Sequence, residues 1–243
     1  MLNILMPLGG KTAFTSDETF KFPKLLIEIE SKPMIEHVIR NLDMIKDEKR
    51  YIFVINGEDK DMFHLDSVLR LLTDNKCEVV VLNGETKGAC CSSLMAIDYI
   101  NNDDELIICN GDQLIFEDLN KPLDLFRTKD ADAGILSFEA VHPRWAFARI
   151  ENEKVIEAAE KRPISKNAIA GFYYYKNGSE YVQAAMKSIE KDANVNGIFY
   201  VAPVLNELVL DYKNIFVYHI DVKDYYTFNV PEKVKQFNRS DYE

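Results

Sequence analysis

The chain has 243 residues, of which 29 are lysine or arginine and 40 are aspartate or glutamate, so its net charge is −11. This acidic composition argues against a nucleic-acid partner, which requires a continuous stripe of positive charge. No apolar run reaches the roughly 18 residues of a membrane helix, and the apolar N-terminus lacks the basic residues and cleavage site of a signal peptide. The four cysteines lack the spacing of a metal or redox motif, which favours reduced thiols. We therefore expect a cytoplasmic protein without membrane insertion.

Short apolar runs alternate with helical patterns along the first 112 residues, which is typical of an α/β fold with a mainly parallel sheet. The pattern predicts strands at residues 3–8, 25–29, 51–55, 78–82 and 105–109, with helices from Pro33, at 61–72 and at 88–100. In doubly wound sheets, ligands bind at the carboxyl ends of the strands. The candidate binding loops are therefore 9–24, 83–88 and 110–113.

The second half has a different pattern. It predicts strands near 133–138, 146–150, 169–175 and 215–220, a charged hairpin at 151–154, and helices at 179–189, at 200–210 and from Pro231. No linker, repeat or low-complexity segment separates the two halves. We therefore expect a single domain over residues 1–243.

The first loop carries residues suited to phosphate binding: after Leu8 the chain continues as Gly9, Gly10, Lys11 and Thr12. Glycines let backbone N–H groups approach phosphate oxygens, and a lysine adds a positive charge. The spacing matches neither the Walker A loop nor the G-x-G-x-x-G fingerprint. A tight turn without a ligand is the alternative interpretation.

Asp112 ends the sequence Asn110-Gly111-Asp112 directly after a predicted buried strand. A carboxylate at this position can bind Mg²⁺ against a triphosphate, because hard cations prefer oxygen ligands. The alternative is an aspartate that only forms a turn. The histidines have no zinc-ligand spacing, and no G-x-S-x-G nucleophile motif is present.

Three residues of the second half are further candidates. Glu160 and Lys161 precede an apolar and aromatic predicted strand, where they form either a functional pair or an exposed ion pair. Trp145, the only tryptophan, either stacks on a ligand or packs in the core.

Together these motifs resemble the sugar-phosphate nucleotidyltransferase family, in particular members of the bacterial surface-polysaccharide type. The likeness lies in NILMPLGGK with the later FPK and SKPMIEHVI, in NGETKGA at 83–89, in CNGDQ at 109–113 and in EK at 160–161 followed by AGFY. It implies a three-layer, Rossmann-like α/β fold of the nucleotide-diphospho-sugar transferase type, related to glycosyltransferase A, with a mixed, mainly parallel sheet. Residues 1–118 would form the nucleotide-binding portion and residues 119–243 the sugar-binding portion.

The resemblance also implies a reaction. An oxygen of a sugar 1-phosphate, or of a similar phosphorylated acceptor, attacks the α-phosphate of a nucleoside triphosphate and pyrophosphate leaves, with Mg²⁺ as the cofactor. The implied catalytic residues are Lys24, Asp112 and Lys161. The implied nucleotide contacts are Leu8, Gly9, Gly10, Lys11, Thr12, Lys87, Gly88 and Asp112. The implied sugar contacts are Glu160, Lys161, Gly171 and Trp145. The metal ligand is Asp112, and homo-oligomer formation stays open.

The sequence departs from the family pattern at two places. Thr12 and Phe14 stand where the family loop has its second glycine and its phosphate-binding arginine. Thr227 stands where the family has a second metal-binding aspartate, with Asp221 or Asp224 as the nearby candidates. Two alternatives therefore stay open: a glycosyltransferase of the same fold that uses a nucleotide sugar, and a non-catalytic homologue that binds nucleotides or sugars.

Overall fold

The computed structural model describes residues 1–10 and 22–237. Its strands are β1 (Leu2–Pro7), β2 (Glu28–Ile29), β3 (Lys32–Pro33), β4 (Lys49–Asn56), β5 (Cys77–Leu82), β6 (Glu105–Cys109), β7 (Gln113–Ile115), β8 (Ala133–Glu139), β9 (Ala146–Glu151), β10 (Lys154–Glu160), β11 (Asn167–Tyr175), β12 (Ile215–His219) and β13 (Tyr225–Thr227). Its α-helices are α1 (Met34–Asp43), α2 (Gly57–Phe63), α3 (Leu65–Leu72), α4 (Ala89–Leu94), α5 (Ile97–Ile100), α6 (Asn120–Thr128), α7 (Gly178–Glu190), α8 (Leu205–Leu210) and α9 (Pro231–Gln236). Short 3₁₀ helices lie at Lys24–Leu26, Ala202–Val204 and Val222–Asp224.

Within this described part, nine strands form one sheet in the order β5-β4-β1-β6-β11-β8-β12-β10-β9. The four strands of the first half are parallel to one another, and β12 is parallel to β8. Only β11 and β10 run against their neighbours, so seven of the nine strands share one direction. The predicted mixed, mainly parallel sheet is confirmed.

The sheet is the middle layer of three. Alternate residues of a strand point to opposite faces, and in β1 Ile4 and Met6 belong to one buried cluster whereas Leu5 belongs to another. Both clusters are covered by helices, which explains why the central strands carry apolar residues on both faces. No helix of the described residues is both long and apolar enough to cross a membrane.

Several predicted elements differ in detail. The predicted strand at 25–29 is wrong in its first part, where the chain forms a 3₁₀ helix before the two residues of β2. The predicted helix at 61–72 is two helices, because His64 adopts a left-handed conformation with φ 53° and ends α2. The predicted helix at 88–100 is likewise divided into α4 and α5.

The predicted hairpin at 151–154 is confirmed between β9 and β10. Asn152 and Glu153 have φ values of 49° and 64°, which suit the tight turns that connect antiparallel strands. A second small sheet was not predicted: β13 pairs antiparallel with β7 and brings the segment after residue 224 next to Asp112. This pairing determines which side chains can approach the Asp112 turn.

Candidate active site

The carboxyl ends of β1, β4, β5 and β6 border a cavity of about 1030 Å³. Because these strands are parallel neighbours, the loops that follow them meet at one edge of the sheet. The residues that line the cavity include Leu8, Gly9, Gly10, Lys24, Asn56, Asn83, Gly84, Glu85, Asn110 and Asp112. The three loops predicted as binding loops therefore border one cavity.

Lys24 and Asp112 form an ion pair in this cavity. Lys24 comes from the 3₁₀ helix after the first loop, and Asp112 follows β6. The lysine side chain is 8% exposed and the aspartate side chain 26% exposed. A buried ammonium group next to a half-buried carboxylate provides the opposite charges that phosphate oxygens and a divalent cation require.

The small β7–β13 sheet fixes the residues opposite the Asp112 turn. The backbone N–H of Phe228 donates to the carbonyl of Asp112 at 2.8 Å, and Thr227 pairs with Gln113. Thr227 therefore lies beside Asp112, in the position that the motif comparison gave to a second aspartate.

The two alternative metal ligands lie further along this segment. The carbonyl of Asp224 accepts from the N–H of Phe116. This hydrogen bond lies four residues further along both strands than the one between Asp112 and Phe228, and four residues of extended chain span about 13 Å. The Asp221 carboxylate instead accepts from the backbone N–H of Lys223 at 3.1 Å. Among the described residues, no group of three or more potential metal-ligating side chains is present.

Lys87 and Gly88 lie at the start of α4, beside the cavity lining formed by residues 83–85. The carbonyl of Lys87 accepts from the N–H of Phe199 at 2.7 Å, and its side chain is exposed. Gly88 has a φ of 114°, and a Cβ at this position would collide with the carbonyl of Phe199. Only glycine fits this close approach between two segments.

Glu160 and Lys161 lie at the end of β10, as a second polar group. Burial raises the pKa of the Glu160 carboxyl to about 7, and the nearby Lys161 charge partly opposes this effect. The Lys161 N–H donates to the carbonyl of Trp145 at 3.0 Å. Its ammonium group donates to the hydroxyl of Tyr200 at 2.7 Å. The motif comparison with the family also includes the segment from Asn196-Gly197 through Phe199-Tyr200 to Asn206-Glu207, but it gives Tyr200 no role in the site.

Trp145 lies next to this group and is half-buried. Its ring centroid is 5.3 Å from that of Phe138 and 5.8 Å from that of Tyr225, and the guanidinium carbon of Arg144 lies 4.5 Å from the ring centroid. The ring therefore packs on aromatic neighbours and also contacts a cationic side chain. Both interpretations of Trp145 stay compatible with its surroundings.

Gln113 connects the Asp112 turn with β11 and β13. Its side-chain oxygen accepts from Asn110 at 3.1 Å and from the Tyr225 hydroxyl at 3.0 Å, while its amide donates to the carbonyl of Gly171 at 2.9 Å. Gly171 has a φ of 58°, and a Cβ there would collide with Asn110 and Gln113. The sequence analysis included Gln113 in the candidate loop 110–113 and in the motif at 109–113 but assigned it no role.

Lys11, Thr12 and Phe14 lie outside the described residues.

The fold and the cavity define the class of protein: an α/β protein with a cavity at the carboxyl edge of a mixed sheet. A family model described as nucleotidyl transferase matches residues 9–206. The chain therefore belongs to the nucleotidyl transferase family, and the family predicted from the motifs is confirmed.

Solved structures have the same fold. The chain is similar to a nucleoside-diphosphate-sugar pyrophosphorylase from Vibrio cholerae, with a TM-score of 0.81, 20% identity, and coverage of 100% of this chain and 99% of that chain. It is also similar to a UDP-glucose pyrophosphorylase complexed with UDP-glucose, with a TM-score of 0.74, 15% identity, and coverage of 96% of both chains. A UDP-glucose pyrophosphorylase from Acinetobacter baumanii gives a TM-score of 0.72 at 15% identity, over 97% of this chain and 91% of that chain. Comparison with curated proteins gave no significant match. These likenesses confirm the predicted fold.

Proposed function

We propose that this nucleotidyltransferase transfers a nucleoside monophosphate from a nucleoside triphosphate to a sugar 1-phosphate or a similar phosphorylated acceptor. The observation that carries the proposal is the Lys24–Asp112 pair inside a cavity of about 1030 Å³ at the carboxyl edge of the sheet. The volume is sufficient for a nucleotide, and the pair offers both a cationic and an anionic partner to a triphosphate. The activities named for the similar structures support the same reaction class.

The proposed reaction is a direct displacement at phosphorus. A phosphate oxygen of the acceptor forms a bond to the α-phosphorus, the bond from this phosphorus to the oxygen bridging to the β-phosphate breaks, and pyrophosphate leaves with the electron pair. No covalent enzyme intermediate is needed. Catalysis therefore depends on holding the reactants in line and stabilising the charge on the phosphates.

The proposed roles are those that the family motifs imply for each residue. Leu8, Gly9 and Gly10 border the nucleotide, and Lys24 faces its phosphates. Lys161 meets the acceptor phosphate, and Glu160 accepts hydrogen bonds from sugar hydroxyls. The same proposal assigns Lys11, Thr12, Lys87 and Gly88 to the nucleotide, and Gly171 and Trp145 to the sugar.

Asp112 is the proposed ligand of Mg²⁺. The residues present fit this ion, because Mg²⁺ keeps several waters and needs only one or two protein carboxylates together with substrate phosphates. Asp112 is partly exposed to the cavity and can direct its carboxylate there. When bound, the ion neutralises part of the negative charge of the triphosphate.

The proposed product is a nucleotide sugar for surface polysaccharide synthesis in the cytoplasm, where nucleoside triphosphates are available. In this proposal, residues 1–118 serve the nucleotide and residues 119–243 serve the acceptor.

The test is a panel assay. The protein is incubated with each nucleoside triphosphate, Mg²⁺ and a set of sugar 1-phosphates, and pyrophosphate release is measured. We expect release with at least one pair of substrates and none when the acceptor is omitted. Transfer from a nucleotide sugar without pyrophosphate release would instead indicate a glycosyltransferase. Ligand binding without turnover in either assay would indicate a non-catalytic homologue.

A further inference from the structure

Residues 195–200 form a short segment between α7 and the 3₁₀ helix at Ala202–Val204. Val195 and Ile198 exchange backbone hydrogen bonds of 3.0 and 3.1 Å. The two residues between them, Asn196 and Gly197, have φ values of 54° and 80°. These values define a tight hairpin turn. The turn fixes the direction in which the chain continues through the next two residues, Phe199 and Tyr200.

The first of these two residues, Phe199, contacts the loop at residues 83–88 and the start of α4, here called the nucleotide-side loop. Its N–H donates to the carbonyl of Lys87 at 2.7 Å, and its carbonyl accepts from the N–H of Cys90 at 3.1 Å. The close approach at Gly88 adds a packing contact with the same backbone. The segment is therefore fixed against the start of α4 by its main chain.

The second residue, Tyr200, contacts the other side of the site. Its hydroxyl accepts a hydrogen bond of 2.7 Å from the ammonium group of Lys161, which also lies 4.9 Å from the centroid of the ring. This contact raises the pKa of Lys161. A charged donor makes such a hydrogen bond stronger than one between neutral groups.

The charge of Lys161 stays available to an anion. Within the described part of the chain, no carboxylate lies within ion-pair distance of its ammonium group, and the Glu160 carboxyl acts on it only through a weaker electrostatic attraction. A phenol hydroxyl orients an ammonium group without neutralising it, in contrast to an aspartate or glutamate. Lysine has a long flexible side chain, which loses conformational entropy when a phosphate binds to it. A hydrogen bond to a fixed acceptor such as the Tyr200 hydroxyl orders the side chain beforehand and so reduces this loss.

We propose that Tyr200 is a positioning residue, which holds the Lys161 ammonium group for the acceptor phosphate from a segment packed against the nucleotide-side loop. The inference rests on the proposed function, because the acceptor phosphate is the ligand of Lys161. According to this inference, Tyr200 influences the use of the acceptor only through its hydrogen bond to Lys161.

A double-mutant cycle tests this dependence. Tyr200→Phe keeps the ring but removes the hydroxyl, and we expect kcat/KM for the acceptor to fall about 10- to 150-fold, as for a lost hydrogen bond to a charged group. KM for the nucleoside triphosphate should change less than twofold. In Lys161→Met, the additional change Tyr200→Phe should have no further effect, because its partner is absent. Tyr212→Phe is the matched control, since Tyr212 is 95% exposed.

A multiplicative loss in the double variant, or an equal effect of Tyr200→Phe on both substrates, overturns the proposal and indicates a general structural role. An unchanged acceptor kcat/KM in Tyr200→Phe also overturns it. Thermal unfolding midpoints of all variants show whether each one is folded.

A second measurement separates this inference from the proposed function. Lysine acetylation by acetic anhydride is followed by peptide mass spectrometry in wild type and Tyr200→Phe. Loss of the hydroxyl should lower the pKa of Lys161 and speed its acetylation at least about threefold, with Lys166, which is 72% exposed, as the internal reference. If Lys161 responds but the wild type gives no turnover, the contact is right and the proposed function is wrong. If Lys161 acetylation is unchanged, the positioning role is wrong whatever the activity.

Discussion

The ammonium group of Lys24 contacts the carboxylate of Asp112, although the two residues are 88 positions apart in the chain. Lys24 follows β1 through the first loop and Asp112 follows β6, and these two strands are neighbours in the sheet. The contact therefore follows from the parallel β1–β6 pairing. In the proposed reaction, substrate binding would replace this contact, because Lys24 would bind phosphate oxygens and Asp112 would hold Mg²⁺.

Replacing Asp112 tests this exchange. In Asp112→Asn we expect kcat to fall about 100- to 1000-fold, the range found when a charge-stabilising group is removed from an active site. The Mg²⁺ dependence of pyrophosphate release should also weaken. Asp98→Asn, at an exposed aspartate outside the cavity, is the control and should behave as wild type. Full activity with an unchanged Mg²⁺ dependence in Asp112→Asn would exclude the proposed metal role.

A second carboxylate can be introduced at Thr227, because the β7–β13 register places this residue next to the Asp112 turn. Without Mg²⁺, Thr227→Asp should destabilise the protein by repulsion between like charges. With Mg²⁺, the two carboxylates can share the ion, so the thermal unfolding midpoint should rise more than in the wild type. Thr227→Asn is the neutral control. If Mg²⁺ raises the midpoints of wild type and Thr227→Asp equally, the two side chains do not share a cation.

The sequence allowed the parallel half of the sheet to be predicted well, for a physical reason. Strands buried on both faces carry nearly continuous apolar runs, and turn residues such as Asn110 and Gly111 stand at their ends. The carboxyl-edge loops could therefore be predicted from the sequence. The family motifs added the candidate residues in those loops.

The contacts within the site could not be predicted in the same way. The three-residue strands β7 and β13 are too short to give a periodic pattern, yet their pairing brings Thr227 to Asp112 and Tyr225 to Gln113. The hydrogen bond between Lys161 and Tyr200 joins two residues that are 39 positions apart in the chain. Such contacts depend on long-range packing, which a local pattern of residues does not encode.

Gly88→Ala tests the close packing of the nucleotide-side loop. Its φ of 114° strains any residue with a Cβ, and the added atom would meet the carbonyl of Phe199. We expect the free energy of unfolding to fall by about 2–3 kcal/mol, measured by urea denaturation. Gly84→Ala is the control, because nothing lies within 4 Å of a Cβ there. Equal effects of the two changes would contradict the packing described for Gly88.

The raised pKa of Glu160 predicts a pH-dependent stability. Its folded-state pKa of about 7 exceeds its ordinary value of 4.5, so the folded protein binds the proton more tightly than the unfolded chain. This contribution is fully present below about pH 4.5 and is lost as the pH rises through 7. Glu160→Gln should therefore be more stable than wild type by about 1–2 kcal/mol at pH 8, after allowance for partial exposure, and should lose this advantage at pH 4.5. Chemical denaturation at both pH values measures it, and a difference that does not vary with pH contradicts the cause given for the shift.

Trp145 provides a direct test of the acceptor side, because it is the only tryptophan in the chain. The Trp145 carbonyl accepts from the Lys161 N–H. Among the described residues, Trp145 is not one of those that line the cavity with Asp112 and Lys24. A ligand on Lys161 would therefore alter the surroundings of the indole, including the Arg144 guanidinium above its face. We expect a saturable change of tryptophan fluorescence with the sugar 1-phosphate substrate and a much smaller change with the nucleoside triphosphate alone. Trp145→Phe should abolish the signal. A response to the triphosphate alone, with none to an acceptor that is turned over, would place the acceptor away from Trp145 and remove this residue from the proposed sugar site.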